Sequence, residues 1–447
     1  MFDLDNIEVP GNIDDYVKKG IALGIKKKKA RKVKFIANTA AAVLITLFVL
    51  SVRTSPAFAS YMLKVPGLEY LVRFINYDKG LQSAVENDFI QSINSSVTHE
   101  GITFTIKDAV IDKSKALIFY SIENKTNKVI EIERVKLISE NGDEHKEYSS
   151  SWVSSRGNEN EESKASMIEL NFTDATILQD KLNIEIRLRD EDLVDLNNYE
   201  ASKKKSMLAS SWNFEITIDK EKIKSMEKSY VLNQSITIEG QIINFKKITI
   251  TPTRMALEVE YDENNSKKIF GFDDIVIVDE KGEEWGTIMN GLSATEKDEN
   301  HKILYFQSNY FNTPKELYIK ASTLRAIDKD KVDVAVDLEN KKLLKAPDER
   351  LKLRQININE KETSIIFNLE QNEEFYNRFG NFMFSGSFKD SAGNKYNQLR
   401  CETWFDSLEG TYNVNFVIDN HEKLKGPIYL ELYNYPEKIK GDIKVKI

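Results

Sequence analysis

From residue 99 onward the sequence alternates apolar and polar residues with a period of two, and the alternation repeats. Moved by 140 positions, VIDKSKALIFYSIENKTNKVIEIERVKLISENG (110–142) falls on ITPTRMALEVEYDENNSKKIFGFDDIVIVDEKG (250–282) without a gap. Leu117 and Phe119 then match Leu257 and Val259, and Ile130 and Ile132 match Phe270 and Phe272. Val135, Leu137 and Ile138 match Ile275, Ile277 and Val278, and the turn residues Asn124 and Gly142 match Asn264 and Gly282. A looser third copy runs LKLRQININEKETSIIFNLEQN (351–372) and FMFSGSFKDSAGNKY (382–396), with Gly393 in its turn. A period of two belongs to strands that bury one face, and a long repeat of such strands leaves stacked β units as the architecture.

Each copy has one layout. An alternating strand (Ile102, Phe104, Ile106) leads through a short turn to the strand around Ile118. A pair of strands closed by Asn-Gly or Lys-Gly follows, the signal of a two-residue hairpin. Two more strands close the unit: LNIEIRLR (182–189) and NFEITI (213–218), ELYIKA (316–321) and KVDVAVDL (331–338), or TYNVNFVI (411–418) and IYLELYNY (428–435). Six or seven strands in this space predict tandem immunoglobulin-like β-sandwiches at 99–222, 223–345 and 346–447. The single cysteine, Cys401, cannot form an internal disulfide, so ordinary apolar cores must hold these units.

The one break in this mainly β pattern is FIANTAAAVLITLFVLSV (35–52), a run without a charge, bounded by Lys34 and Arg53. As a helix at 1.5 Å per residue it reaches about 27 Å, close to the hydrocarbon thickness of a bilayer. KKKKARKVK (26–34) precedes it, and the positive-inside rule then predicts a single-pass cell-membrane protein with its N-terminus in the cytoplasm and its C-terminal domains extracytoplasmic. A cleaved signal peptide is the rival reading, because Ala57-Phe58-Ala59 has the small-x-small pattern of a cleavage site. The charge divides at this run. Residues 1–34 hold nine Lys/Arg and five Asp/Glu, a net of +4, which leaves −12 of the total −8 for the rest. An acidic exterior argues against nucleic acid and other polyanions as partners.

In the tail, Asn12 is placed to cap a helix on which Ile13, Tyr16, Val17, Ile21 and Ile25 form an apolar stripe. Two readings fit that stripe: a helix lying on the inner leaflet, or a helix that docks on a cytoplasmic protein. Residues 53–98 read as a juxtamembrane connector of short amphipathic helices. Pro66-Gly67 opens one carrying Leu68, Leu71, Val72 and Ile75; Lys79-Gly80 interrupts it; Leu81, Val85 and Phe89 resume it.

SPAFASYMLKVPGLEYLVRFINYDKGLQSAVENDFIQSINSSVTHEGITFTIKDAVID (55–112) resembles the bacterial membrane-anchored domain of unknown function 4179. Ser-Pro-Ala-Phe-Ala, Pro66-Gly67 and the strand opening at Gly101 carry that likeness. GQIINFKKITITPTRMALEVEYDEN, followed by EKGEEW, resembles the companion domain of unknown function 5643. The first resemblance implies the topology of membrane-bound negative regulators of extracytoplasmic-function sigma factors. The tail lacks the His-x-x-x-Cys-x-x-Cys zinc motif of the better-known anti-sigma domains.

Motifs for chemistry are missing. His99, His145, His301 and His421 are dispersed and none pairs with Cys401, so neither a metal nor another cofactor is expected. No nucleophile elbow, Ser-x-x-Lys, Cys-His pair or phosphate loop is visible, and an enzyme is not expected. Acidic pairs such as Asp273-Asp274 and Glu283-Glu284 read as solvated turns, Asp262-Glu263-Asn264-Asn265 as a hairpin loop, and Cys401 as a thiol at least partly buried. The expected function is a single-pass signalling regulator: an extracytoplasmic array meets a ligand or protein, and the tail acts on a sigma factor or similar cytoplasmic partner. The alternative is a cell-surface binding or structural protein that the helix only anchors.

Overall fold

Val, Ile, Phe and Tyr suit a pleated, half-buried surface, and here they stand at every second position, so each strand has a face that must be covered. The computed structural model describes residues 78–447 except 88, 127, 154–165, 174–176, 192–205, 289–292, 371–382 and 421–423. The tail, the apolar run 35–52, the Ala57-Phe58-Ala59 site and the connector up to residue 77 lie outside the described residues. Among those described, no helix is long and apolar enough to cross a membrane.

Helix α1 (Lys79–Glu86) leads into the first sandwich: β1 (Gln91–His99), β2 (Ile102–Ile111), β3 (Lys115–Asn124), β4 (Val129–Ile138), β5 (Tyr148–Val153), β6 (Ser166–Phe172), β7 (Lys181–Glu191) and β8 (Ser206–Thr217). One sheet has the order β1-β2-β3-β6-β5 and the other β4-β7-β8. Phe104, Ile118 and Ile168 of the first meet Ile132, Ile186 and Trp212 of the second in a common core. Each such side chain contributes about 1.5–3 kcal/mol by leaving water.

Helix α2 (Lys220–Ser225), whose Lys222 N–H donates to Asp219 at 3.0 Å, connects to the second unit. Its strands are β9 (Lys228–Ile238), β10 (Gln241–Ile250), β11 (Met255–Tyr261), β12 (Lys267–Phe272), β13 (Val276–Asp279), β14 (Glu284–Trp285), β15 (Ala294–Glu296), β16 (His301–Phe306) and β17 (Leu317–Asp328). The remainder are β18 (Asp333–Asp337), β19 (Lys342–Lys345), β20 (Leu351–Ile358), β21 (Glu362–Glu370), β22 (Phe384–Asp390), β23 (Lys395–Asn397), β24 (Arg400–Asp406), β25 (Thr411–Asp419), β26 (Ile428–Leu432) and β27 (Lys438–Lys446). Sheet β15-β16-β11-β10-β9 encloses the second core together with β12, β13 and β17, and sheets β20-β21-β25-β24 and β19-β18-β26-β22-β23 enclose the third.

The structure keeps the repeat but corrects its alignment. The core-facing residues of β3 are Ala116, Ile118 and Tyr120, and their counterparts on β11 are Met255, Leu257 and Val259. The offset there is 139, one less than the ungapped match, and Leu117 and Phe119 face away from the core. A one-residue slip turns a strand over, so the ungapped match pairs opposite faces. The extra residue enters at Phe270, where β12 bulges between Ile269 and Gly271. Ile130 therefore corresponds to Ile269, and Phe270 points out of the second core into the third. A further bulge recurs in all three units after Ile106, Phe245 and Leu353, and the inserted residue is basic each time: Lys107, Lys246, Arg354.

The turns at Gly142, Gly282 and Gly393 also share one geometry, longer than the two-residue hairpin expected. Each glycine N–H donates to the carbonyl of the residue three before it, Ser139, Asp279 or Asp390. That same residue's N–H donates to the carbonyl just after the glycine. This is a three-residue loop with its last position in the left-handed region (φ +86, +83 and +84), which glycine occupies without strain. The Asp262–Asn265 segment is not a hairpin: it crosses from β11 in one sheet to β12 in the other. Asn265 holds the crossing by accepting from the Ile242 N–H at 2.7 Å and donating to its carbonyl at 2.9 Å. Asp273 is buried against Arg325 (2.7 Å), rather than placed on a solvated turn.

The largest departure concerns the closing strands. In the first sandwich β7 pairs with the strand that follows it, β8. KVDVAVDL holds that place in the second unit by sequence, yet its strand, β18, pairs with β26 of the third. The partner of β17 is β27, from the C-terminus. TYNVNFVI and IYLELYNY, the two strands expected to close the third unit, lie in opposite sheets as β25 and β26. The second and third units have exchanged their last strands.

Candidate functional site

The turn between β2 and β3 and the turn between β10 and β11 are equivalent in the repeat, and they meet each other. Asp112 Oδ1 accepts from Ser114 N (2.8 Å), Ser114 Oγ (2.7 Å) and Lys115 N (3.2 Å), which shapes its own turn. Its Oδ2 reaches the second unit and accepts from Thr253 N (2.8 Å) and Thr253 Oγ1 (2.6 Å). In return Arg254 donates to Asn171 Oδ1 (2.7 Å) and to the Ser114 carbonyl (2.9 Å), with its guanidinium 3.9 Å from the centre of the Tyr305 ring. Burial holds the Arg254 pKa below its ordinary value, opposed by Tyr305, Asp112 and Glu169. Lys115 Nζ lies 3.2 Å from Glu169 Oε1, with side chains only 2% and 3% exposed. Such charges stay in a low-dielectric interior only when paired, and loss of one partner there costs about 3–5 kcal/mol.

Helix α1 enters this junction. Asp78 Oδ1 accepts from Gly80 N (2.8 Å) and Leu81 N (3.1 Å), which satisfies two free N–H groups of the first turn. Burial pushes the Asp78 carboxyl above the usual carboxylate range; nearby Lys115 and the two backbone N–H groups oppose that, while Glu169 adds to it. Leu81 and Ala84 are buried. Lys79 Nζ donates to the Glu284 carbonyl (3.1 Å), Ser83 Oγ to Asn312 Oδ1 (3.2 Å), and the Phe89 ring lies 6.0 Å from Phe311. Lys79-Gly80 thus forms the first turn of this helix, and the helical pattern expected before it lies outside the described residues. Gly80 is required because a Cβ there would stand 2.3 Å from Ser308 N. The helix is bonded to the second sandwich and electrostatically coupled to Lys115 and Glu169 of the first.

The stripe Ile13, Tyr16, Val17, Ile21 and Ile25 lies outside the described residues, as does His421. His99 packs edge-on to Trp212 (5.6 Å), His145 stands 3.9 Å from Glu147, and His301 sits between Asp298 (2.8 Å) and Glu260 (3.4 Å). Among the described residues no three His, Cys, Asp or Glu side chains are grouped to hold a metal ion. Cys401 is half-buried, and burial raises its thiol to about 11. No sequence motif marks the junction itself. Its one trace is KALIFYSI (115–122), a continuous apolar run that reads as a strand covered on both faces, so the lysine at its start is covered as well.

Residues 27–124 match the model of a domain of unknown function, DUF4179, and residues 227–343 that of a family of unknown function, DUF5643. These are the two families, in the same order, that the sequence resembles. No curated protein matches the chain. Among solved structures, the conserved domain protein from Bacillus anthracis is 18% identical, with a TM-score of 0.39 over 60% of this chain and 86% of that one. The C-terminal domain of the Streptococcus agalactiae AgI/II polypeptide BspA is 9% identical, with a TM-score of 0.11 over 80% of this chain and 92% of that one.

Proposed function

We propose that this chain is a single-pass membrane regulator without catalytic activity, in which tandem immunoglobulin-like sandwiches outside the cell control a cytoplasmic tail through helix α1. The sheet pairs support the immunoglobulin-like class. Lettered in chain order from β2, with β1 an added edge strand beside it, the first unit has A-B-E-D (β2-β3-β6-β5) against C-F-G (β4-β7-β8), the order of constant-type immunoglobulin domains. The observation that carries the functional reading is the clamp on α1. Helix α1, which lies after the apolar run 35–52 in the chain, seats against Ser308 and Asn312, and Ser308 in turn bonds Thr251 of the buried contact between two sandwiches, so a change in that contact displaces the helix. The tail's stripe, Ile13, Tyr16, Val17, Ile21 and Ile25, is the surface offered to a sigma factor or similar protein, and the acidic array meets an extracytoplasmic ligand or protein.

Two experiments test it. Residues 1–34 used as bait should capture a cytoplasmic protein, and a tail with Ile13, Val17 and Ile21 replaced by Asp should not. Ala84→Glu, which puts a charge into the clamp, should change transcript output in cells with the tail intact. If both variants leave every cytoplasmic interaction and transcript unchanged, the chain is only anchored and the regulatory reading fails.

A further inference from the structure

The exchanged strands point to a property of the second and third sandwiches that neither would have alone. β17 pairs with β27 from Tyr318↔Lys446 to Arg325↔Lys438, and β18 pairs with β26 from Asp333↔Glu431 to Val336↔Ile428. Between these ladders Ala326 N–H donates to the Glu437 carbonyl and Leu432 N–H to the Val332 carbonyl, both at 2.9 Å. Segments 317–337 and 428–446 therefore run antiparallel through both cores as a shared ribbon, paired in one ladder within each core, with residues 327–331 and 433–436 linking the two ladders. Ile443 and Val445 on this ribbon are buried in the second core, and Val334 and Leu430 in the third. Phe270, the inserted residue of β12, enters the third core from the second sandwich, and Arg325 of β17 bonds Asp273 and Asn434.

We infer that the second and third sandwiches are one cooperative unit, in which the C-terminal strand couples the state of the third sandwich to the second, the one that holds α1. A sandwich opens by parting its edge strands. Here β27, an edge strand of the second core, continues from β26 of the third, and β18, inside a sheet of the third core, continues from β17 of the second, so neither core opens without disturbing strands it shares with the other. The ribbon's end lies close to the clamp. Lys446 pairs with Glu316 (2.7 Å) and Ile447 N–H donates to the Leu317 carbonyl (2.9 Å), only a few residues after Ser308 and Asn312, which hold the helix. The inference rests on strand pairing and not on the regulatory reading, so either can fail without the other.

Hydrogen exchange on the full chain in detergent, across a denaturant series, tests it through two substitutions. Val334→Asp places a charge in the third core and Val445→Asp one in the second; each should lower protection in its own core by on the order of 100-fold. Cooperativity requires that each lower the other core as well, to within about threefold of the same factor, so that β9–β11 and β20–β21 open at one denaturant concentration. Two separate openings, with Val334→Asp confined to β20–β21 and Val445→Asp confined to β9–β11, would overturn it. Chains too unstable to purify are replaced by Val334→Ala and Val445→Ala, which read the same partition at smaller amplitude.

Discussion

Gly80→Ala reverses the usual sign of a helix substitution. Within a helix alanine is favoured over glycine by about 1 kcal/mol, so propensity alone predicts a more stable α1. The structure predicts the opposite. The added methyl would lie 2.3 Å from Ser308 N, 2.8 Å from its Cβ and 2.9 Å from its Cα, and two of those atoms are backbone that cannot rotate away. Carbon atoms rest about 3.5–4 Å apart, so the helix must move by an ångström or more. That shift uncovers Leu81, worth about 1.5–3 kcal/mol, and breaks one or two hydrogen bonds, such as Ser83 to Asn312, at about 0.5–1.5 kcal/mol each. After the propensity gain the net loss is roughly 1–5 kcal/mol, or from about 5-fold to several thousandfold in the docking equilibrium. Hydrogen exchange of residues 79–87 in the full chain reads this directly. Gly286→Ala, where a Cβ meets nothing within 4 Å, is the control and should leave α1 unchanged. Equal or slower exchange in Gly80→Ala would show that α1 is not seated against Ser308, and the clamp would fall with it.

Other consequences follow from the same geometry. The folded Asp78 carboxyl lies above its ordinary value of 3.8, so the folded state binds the extra proton and docking weakens as pH rises from that value through the raised one. Asp78→Asn keeps the cap and removes the titration; the gap between variant and wild type, followed by α1 exchange, should close toward acid pH, and a constant gap would refute the burial of that carboxyl. Phe270→Ala should cost about 3–4 kcal/mol, and because the third core that holds this residue shares strands with the second, denaturation watched at Trp404 and at Trp285 should shift together; a shift confined to one probe would count against the coupling. With its thiol raised to about 11, Cys401 stays protonated at neutral pH and should react with a disulfide reagent far more slowly in the native chain than in denaturant. Equal rates in the two states would contradict its burial.

Much of the architecture is legible without coordinates because it is periodic. The alternation of Ile102, Phe104 and Ile106 identifies a strand, and recurrence of Gly142, Gly282 and Gly393 identifies equivalent turns. The families matched over 27–124 and 227–343 are those whose residues the sequence already displays. The alignment failed by one residue over β3 because a bulge is invisible to composition: Phe270 and Ile269 are both apolar, and only the ladder shows which faces the second core. The clamp stayed hidden for a similar reason. Lys115 and Glu169 look like two of many surface charges, and Asp112 and Arg254 lie far apart in the chain. Their importance comes from being carried into a place without water.

Residues close together in the chain thus carry the local pattern: strands with one covered face, glycine-ended turns, three related units and a basic tail before an apolar run. These depend on neighbours two to four residues away, and period and turn chemistry report them. Tertiary contacts settle which strand closes which sandwich, where Phe270 points, and that α1 seats against Ser308 and Asn312 of the second unit. β18 and β27 both alternate, and either could complete either core. The choice depends on register, and on the short links that carry β17 into β18 and β26 into β27, a long-range balance of pairing and burial that no local pattern encodes.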